Sequence, residues 1–214
     1  MGIKIVYEGG EGELIEKKSR FIATVSPVHS EEEALEFIAG LKKKYWNASH
    51  NCFAFVIGEH QEIQRCSDDG EPQGTAGRPM LDVLLGEELH DTVVVVTRYF
   101  GGTLLGTGGL VRAYSGSVQE GLRHCTVIEK ILGSRLTIET DYNGIGKLQY
   151  LLGQRGIQIV DSEYTDVVRT QLLLEKDAVQ ELREAVTEAT SGKAGFEEQE
   201  NVAFAFVGKE AVLF

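Results

Sequence analysis

The run Thr92-Val93-Val94-Val95-Val96-Thr97-Arg98-Tyr99 constrains this chain more than any other segment. Its first six residues are all β-branched, and such side chains sit more easily on a pleated strand than on a helix. The run has no polar alternation, so it reads as a strand covered on both faces, and its sheet must lie between two other layers. It leads straight into Phe100-Gly101-Gly102-Thr103-Leu104-Leu105-Gly106-Thr107-Gly108-Gly109. Beyond these glycines, Leu110, Val111, Tyr114, Val118 and Leu122 recur at helical spacing, which predicts a helix over Leu110–Leu122.

Around this centre the first half alternates strands and helices. Glu13–Val28 reads as one strand, closed by Pro27. Ser30-Glu31-Glu32-Glu33 is a capping box that opens a helix with Ala34, Leu35, Ile38 and Leu41 on one face. Asn51–Gly58 and Glu62–Cys66 form a predicted hairpin, and a short helix fits from about Pro79 to Leu85. The second half predicts strands at Arg135–Tyr142, Ile157–Tyr164, Val167–Leu174 and Val202–Val207. Helices at Asn143–Arg155 and at Asp177–Thr190, with Asp177 as N-cap, are set among them. The order βαββαβ is that of a ferredoxin-like split βαβ sandwich. The expectation is an α+β chain of two abutting domains, residues 1–130 and 131–214.

Charge narrows the partners. The 214 residues hold 21 basic and 33 acidic side chains, a net −12. Up to Cys125 there are 12 basic and 18 acidic residues, so each half carries about −6. That balance argues against generic electrostatic binding to nucleic acid, which needs a broad basic surface, and no DNA partner is expected. Local patches remain, at Lys17-Lys18-Ser19-Arg20 and Lys42-Lys43-Lys44, with solvated faces as the plainer reading. No apolar run approaches the roughly 18 residues of a membrane helix. The N-terminus lacks a signal-peptide pattern, so a cytoplasmic protein is expected. Cys52, Cys66 and Cys125 form neither a C-x-x-C pair nor a zinc framework with the histidines, so reduced thiols are expected and no metal.

Two loops hold the candidate chemistry. Gly101, Gly102, Gly106, Gly108 and Gly109 fall within nine residues, between a buried strand and a helix. Such a loop is either a turn that needs positive φ or a backbone that lets an anion approach a helix N-terminus. Arg98 before it and Arg112 one turn into the helix would place guanidinium groups beside that anion. Neither nucleotide-binding fingerprint is complete: Thr107-Gly108 stands where a P-loop needs Lys and a hydroxyl, and the dinucleotide pattern breaks at its last glycine. No cofactor is therefore implied.

The second loop is Asp68-Asp69-Gly70-Glu71-Pro72-Gln73-Gly74-Thr75-Ala76-Gly77. Its three carboxylates suit metal coordination, acid–base work or a solvated turn. It is not an EF-hand. His50, just before a strand, is a base or a core-edge histidine. No nucleophile–base pair stands out along the sequence, so no catalytic set is assigned.

Lys18-Ser19-Arg20-Phe21-Ile22-Ala23, Ala48-Ser49-His50, Asp68-Asp69-Gly70-Glu71-Pro72 with Gly74-Thr75-Ala76-Gly77, and Thr97 to Gly102 through Tyr114 closely resemble the IMPACT family, also called uncharacterised protein family 0029. The match is to its bacterial, YigZ/YvyE-like branch and spans nearly the whole chain. The resemblance implies a ribosomal protein S5 domain 2-like first domain and a ferredoxin-like second one, a pairing similar to the last two domains of elongation factor G. Eukaryotic relatives regulate translation by restraining a stress kinase through its scaffold partner. The expected function is a translation-linked regulator that binds RNA, ribosome or a protein partner through the glycine-rich surface, with a homo-oligomer also open. The alternative is a small-molecule or nucleotide-binding enzyme that uses the same loop as an anion cradle.

Overall fold

A computed structural model describes residues 2–214, in 12 strands and 5 helices. The chain divides into two compact units, Ile3–Ile128 and Glu129–Phe214. The first contains β1 (Ile3–Glu8), β2 (Gly10–Glu16), β3 (Ser19–Pro27), α1 (Glu31–Lys44), β4 (His50–Ile57), β5 (Ile63–Ser67), α2 (Gly77–Gly86), β6 (Leu89–His90), β7 (Thr92–Tyr99) and α3 (Thr107–Arg123). Its sheet runs β2-β3-β7-β4-β5, with every neighbouring pair antiparallel.

The β-branched run is the central strand, β7, and Thr92–Arg98 are all buried. Alternation splits its valines between two layers. Val94 and Val96 face α2 and α3 in a core with Phe21, Ala54, Met80, Leu84, Tyr114 and Val118. Val93 and Val95 face α1 in a second core with Ala34, Ile38, Leu41 and Phe55. This three-layer, mixed α+β arrangement is what an uninterrupted valine run demands.

Ser30 caps α1 as expected, its hydroxyl accepting from the Glu33 N–H at 3.2 Å. Glu33 returns the contact one residue early, to the His29 N–H at 2.7 Å. Leu35 departs from the predicted inner face and stays half exposed.

Glu13–Val28 is two strands rather than one. The chain reverses at Lys17 and Lys18, both in the left-handed region with φ of 45° and 69°. Two positive φ values match the right-handed twist of a two-residue hairpin, a place Asn-Gly usually takes. Lys-Lys gives no such signal. Helix α3 begins at Thr107 rather than Leu110, so Gly108 and Gly109 form its first turn, and α2 begins at Gly77.

The second unit is ferredoxin-like. It comprises β8 (Thr126–Thr140), α4 (Ile145–Gln154), β9 (Ile159–Tyr164), β10 (Val168–Glu175), α5 (Lys176–Ala189), β11 (Gly195–Val207) and β12 (Glu210–Leu213). Antiparallel pairing gives the order β11-β8-β10-β9, with β10 inserted between β8 and β9. Leu136, Ile138, Leu172 and Leu174 meet Leu148, Leu152, Leu182 and Val186 of the helices. Asp177 is not the N-cap of α5: the helix starts one residue earlier, after Glu175, and no side chain caps it.

Candidate functional site

The ends of β3, β4 and β7 bring the two loops together. Loop 68–77 and loop 100–107 line one cavity of about 470 Å³, whose walls include His50, Gly70, Glu71, Pro72, Arg98, Phe100, Leu104, Leu105 and Leu110. Leu104 is 82% exposed and Phe100 49%, so the mouth is apolar.

At the floor lies a buried ion pair, with the Arg98 and Glu71 side chains 6% and 3% exposed. Arg98 Nη1 donates to Glu71 Oε1 at 2.5 Å, and the Tyr114 hydroxyl donates to the same oxygen at 2.7 Å. Arg98 Nη2 reaches Ser19 Oγ at 3.3 Å, and the guanidinium lies 5.3 and 5.6 Å from the rings of Phe21 and Phe100. A buried charge needs its partner, and these contacts fix Arg98 as Glu71's counter-ion. This corrects the expectation for Arg98: its charge is already matched inside the protein, so it is no free anion contact.

The other carboxylates of the loop are also engaged. Asp68 accepts the backbone N–H of Gly74, Ala76 and Gly77 at 2.8, 3.0 and 2.8 Å, curling the loop around itself. Burial pushes its carboxyl up, but the donors of Gly74, Gly77 and Ala76 together outweigh this and hold it below the usual carboxylate range. Asp69 takes the Asn51 N–H at 2.7 Å and Lys42 Nζ at 2.6 Å. Both carboxylates are thus held by donors within the protein rather than free in a solvated turn, and among the described residues no group of three or more His, Cys, Asp or Glu stands at metal-binding geometry. Thr75 donates to the Pro72 carbonyl at 2.7 Å and holds the same turn.

His50 stands beside the ion pair. Its Nδ1 lies 2.9 Å from the Asp69 carbonyl, which can only accept, so Nδ1 carries the proton. Its Nε2 is 3.9 Å from Glu71 Oε2. Cys52 is buried behind this group, its thiol donating to the Asp68 carbonyl at 3.0 Å. Burial pushes the Cys52 thiol up to about 12, and burial likewise raises the Tyr114 hydroxyl, so neither is a ready nucleophile.

The glycines divide into two kinds. At Gly101 and Gly77 an added Cβ would overlap the backbones of Lys18 and Ser67, so close packing requires them. Gly70, Gly74, Gly102 and Gly106 have φ of 89°, 76°, 82° and 73°, and around the last three there is open space. Arg112 is exposed on the first turns of α3 and lines a neighbouring cavity of about 230 Å³ with Lys17, Glu16, Gly109 and Leu105. Leu105 is common to both cavities. The candidate residues thus gather on one side of the first unit, with Arg112 and Lys17 beside the groove rather than in it. Sequence reading missed Ser19, Tyr114 and the Leu104 rim. Tyr114 falls on the apolar stripe of a helix and looks like plain core until Glu71 is seen above its hydroxyl.

Residues 17–122 match the Impact N-terminal domain, and residues 138–193 match a domain of unknown function, DUF1949. IMPACT family member YvyE of Bacillus subtilis is 47% identical over 91% of this chain and 90% of its own length. The chain belongs to the IMPACT family. Family member YigZ of Escherichia coli is 38% identical, covering 82% of this chain and 87% of YigZ. A crystal structure described as that of a hypothetical protein superposes with a TM-score of 0.59 at 34% identity, covering 91% of this chain and 96% of that one. The groove residues, from His50 to Leu110, and Lys17 and Arg112 beside them all lie inside the Impact N-terminal match. Among the described residues, no helix is long and apolar enough to cross a membrane.

Proposed function

We propose that this IMPACT-family chain is a translation-linked regulatory protein that docks on ribosomal RNA through the groove and its basic margin. Family membership supports the translation link. The observation that carries the RNA reading is a set of cations without partners. Lys17, Lys18 and Arg112 have no carboxylate within 4.0 Å among the described residues, whereas Arg98 and Lys42 are both paired. The hairpin sets the two lysines at its tip, with the Lys18 backbone against Gly101. Beside them stand an exposed aromatic, Phe100, and an exposed Leu104. Local cations with an aromatic platform are how proteins hold unpaired nucleotides, and such a patch works inside an acidic chain because screening confines repulsion to about 8–10 Å.

Sedimentation with purified ribosomes tests this. Binding should fall with salt, with a log–log slope of about −2 for three phosphate contacts. Lys17→Glu/Arg112→Glu should abolish it. Absence of the chain from the ribosomal pellet at both 50 and 150 mM salt would contradict the proposal.

The uncapped first turn of α3 favours a second reading, a small anion or nucleotide held by its free N–H groups. A ligand present at a hundred times its Kd stabilises the fold by about 2.7 kcal/mol. A flat thermal-shift series with nucleotides would remove that reading for the ligands tried.

A further inference from the structure

From the floor of the 470 Å³ cavity we infer that it accepts one unstacked nucleobase through an exocyclic amino group, as adenine, cytosine and guanine carry and uracil lacks. This rests on the nucleic-acid reading above and names what its groove would select. Glu71 is 3% exposed, and its Oε1 takes both Arg98 and Tyr114. Its Oε2 has no donor, only His50 Nε2 at 3.9 Å. Because the Asp69 carbonyl holds the proton on Nδ1, Nε2 of the neutral ring is an acceptor too. Two acceptors therefore stand side by side in the groove with no donor from the protein between them, and a ligand that supplies their hydrogens is favoured over one that leaves them unmatched.

A group that meets both acceptors brings two hydrogens and no charge. Arg98 already balances the Glu71 carboxylate, so an ammonium ion would set a second cation against one anion. A neutral –NH2 supplies one hydrogen to Oε2 and one to Nε2. The walls argue for a flat apolar carrier. Phe100 lines the cavity with half its surface exposed, and Leu104 and Leu105 line it too. Aromatic rings stack on bases of any identity, so the acceptor pair is what discriminates: adenine N6 and cytosine N4 donate, while the corresponding oxygens of hypoxanthine and uracil accept.

Titration calorimetry on the full chain tests this with pairs that differ at that one group, AMP against IMP and CMP against UMP, and with the hexanucleotides r(A)6 and r(U)6. The expected result is at least ten-fold tighter binding of the amino-bearing member of each pair. That preference should be lost in His50→Ala, and overall affinity should drop in Phe100→Ala, whose side chain lies at the exposed mouth. Selective binding of the mononucleotides would identify a free nucleotide as sufficient ligand, and selectivity only in the hexamers would place the base within RNA. Equal affinity for r(A)6 and r(U)6, lost in Lys17→Glu/Arg112→Glu, would overturn the base pocket and leave RNA docking standing. No binding to any of these probes would overturn the base pocket, and ribosome sedimentation would then decide the docking itself.

Discussion

Replacing Arg98 by methionine keeps the stem of the side chain in its slot between Phe21 and Phe100 but removes the charge opposite Glu71. Glu71 would then keep a single neutral donor, the Tyr114 hydroxyl, for a carboxylate whose side chain is only 3% exposed. Breaking a buried pair on one side costs about 3–5 kcal/mol, because the remaining charge stays desolvated and uncompensated. Against a total stability of about 5–15 kcal/mol, that is a fifth or more of what holds the first unit folded. With a urea dependence of about 2 kcal/mol per M, the midpoint should fall by about 1.5–2.5 M. Hydrogen exchange at Val94–Val96 during a urea titration reads this unit separately from the second. Glu71→Gln/Arg98→Met, which leaves no charge behind, should recover most of the loss. A single Arg98→Met variant that loses less than about 1 kcal/mol would refute the view that this pair organises the floor.

Three further outcomes follow from the same contacts. Asp68→Asn should cost about 1.5–3 kcal/mol through its three backbone donors. Because folding lowers the Asp68 pKa, that contribution is present above the unfolded value of about 3.9 and is lost as pH falls from there through the folded value, so wild type and variant should converge in urea midpoint on acidification. Gly101→Ala, forced onto the Lys18 backbone, should lower the thermal midpoint, whereas Gly40→Ala, which meets open space inside α1, should raise it slightly. Alkylation followed by mass spectrometry should modify exposed Cys66 first and buried Cys52 only in denaturant; rapid native labelling of Cys52 would contradict its placement behind Asp68.

Much of the fold was legible because periodicity reports burial directly. The valine run forced a covered central strand, and the βαββαβ alternation of the second half implied its split sheet. The boundaries that were missed depend on backbone geometry that side-chain pattern does not encode. Lys17-Lys18 turns a hairpin with no turn residue to announce it, and Gly108-Gly109 are helical although glycine is a poor helix former. The two polar, glycine-rich loops that line one cavity were both visible in the sequence. The roles within the site were not, since they are set by pairings such as Glu71–Arg98, 27 positions apart, and Glu71–Tyr114, 43 apart. Arg98 looked like an anion contact because sequence shows a charge but not its counter-ion.

Hydrogen–deuterium exchange of the chain with and without ribosomes tests docking through this groove most directly. The account predicts slowed exchange at the Lys17–Ser19 hairpin and across Phe100–Gly109, with the α1 helix unchanged. Protection confined to the second unit, or none anywhere at ribosome excess, would contradict it.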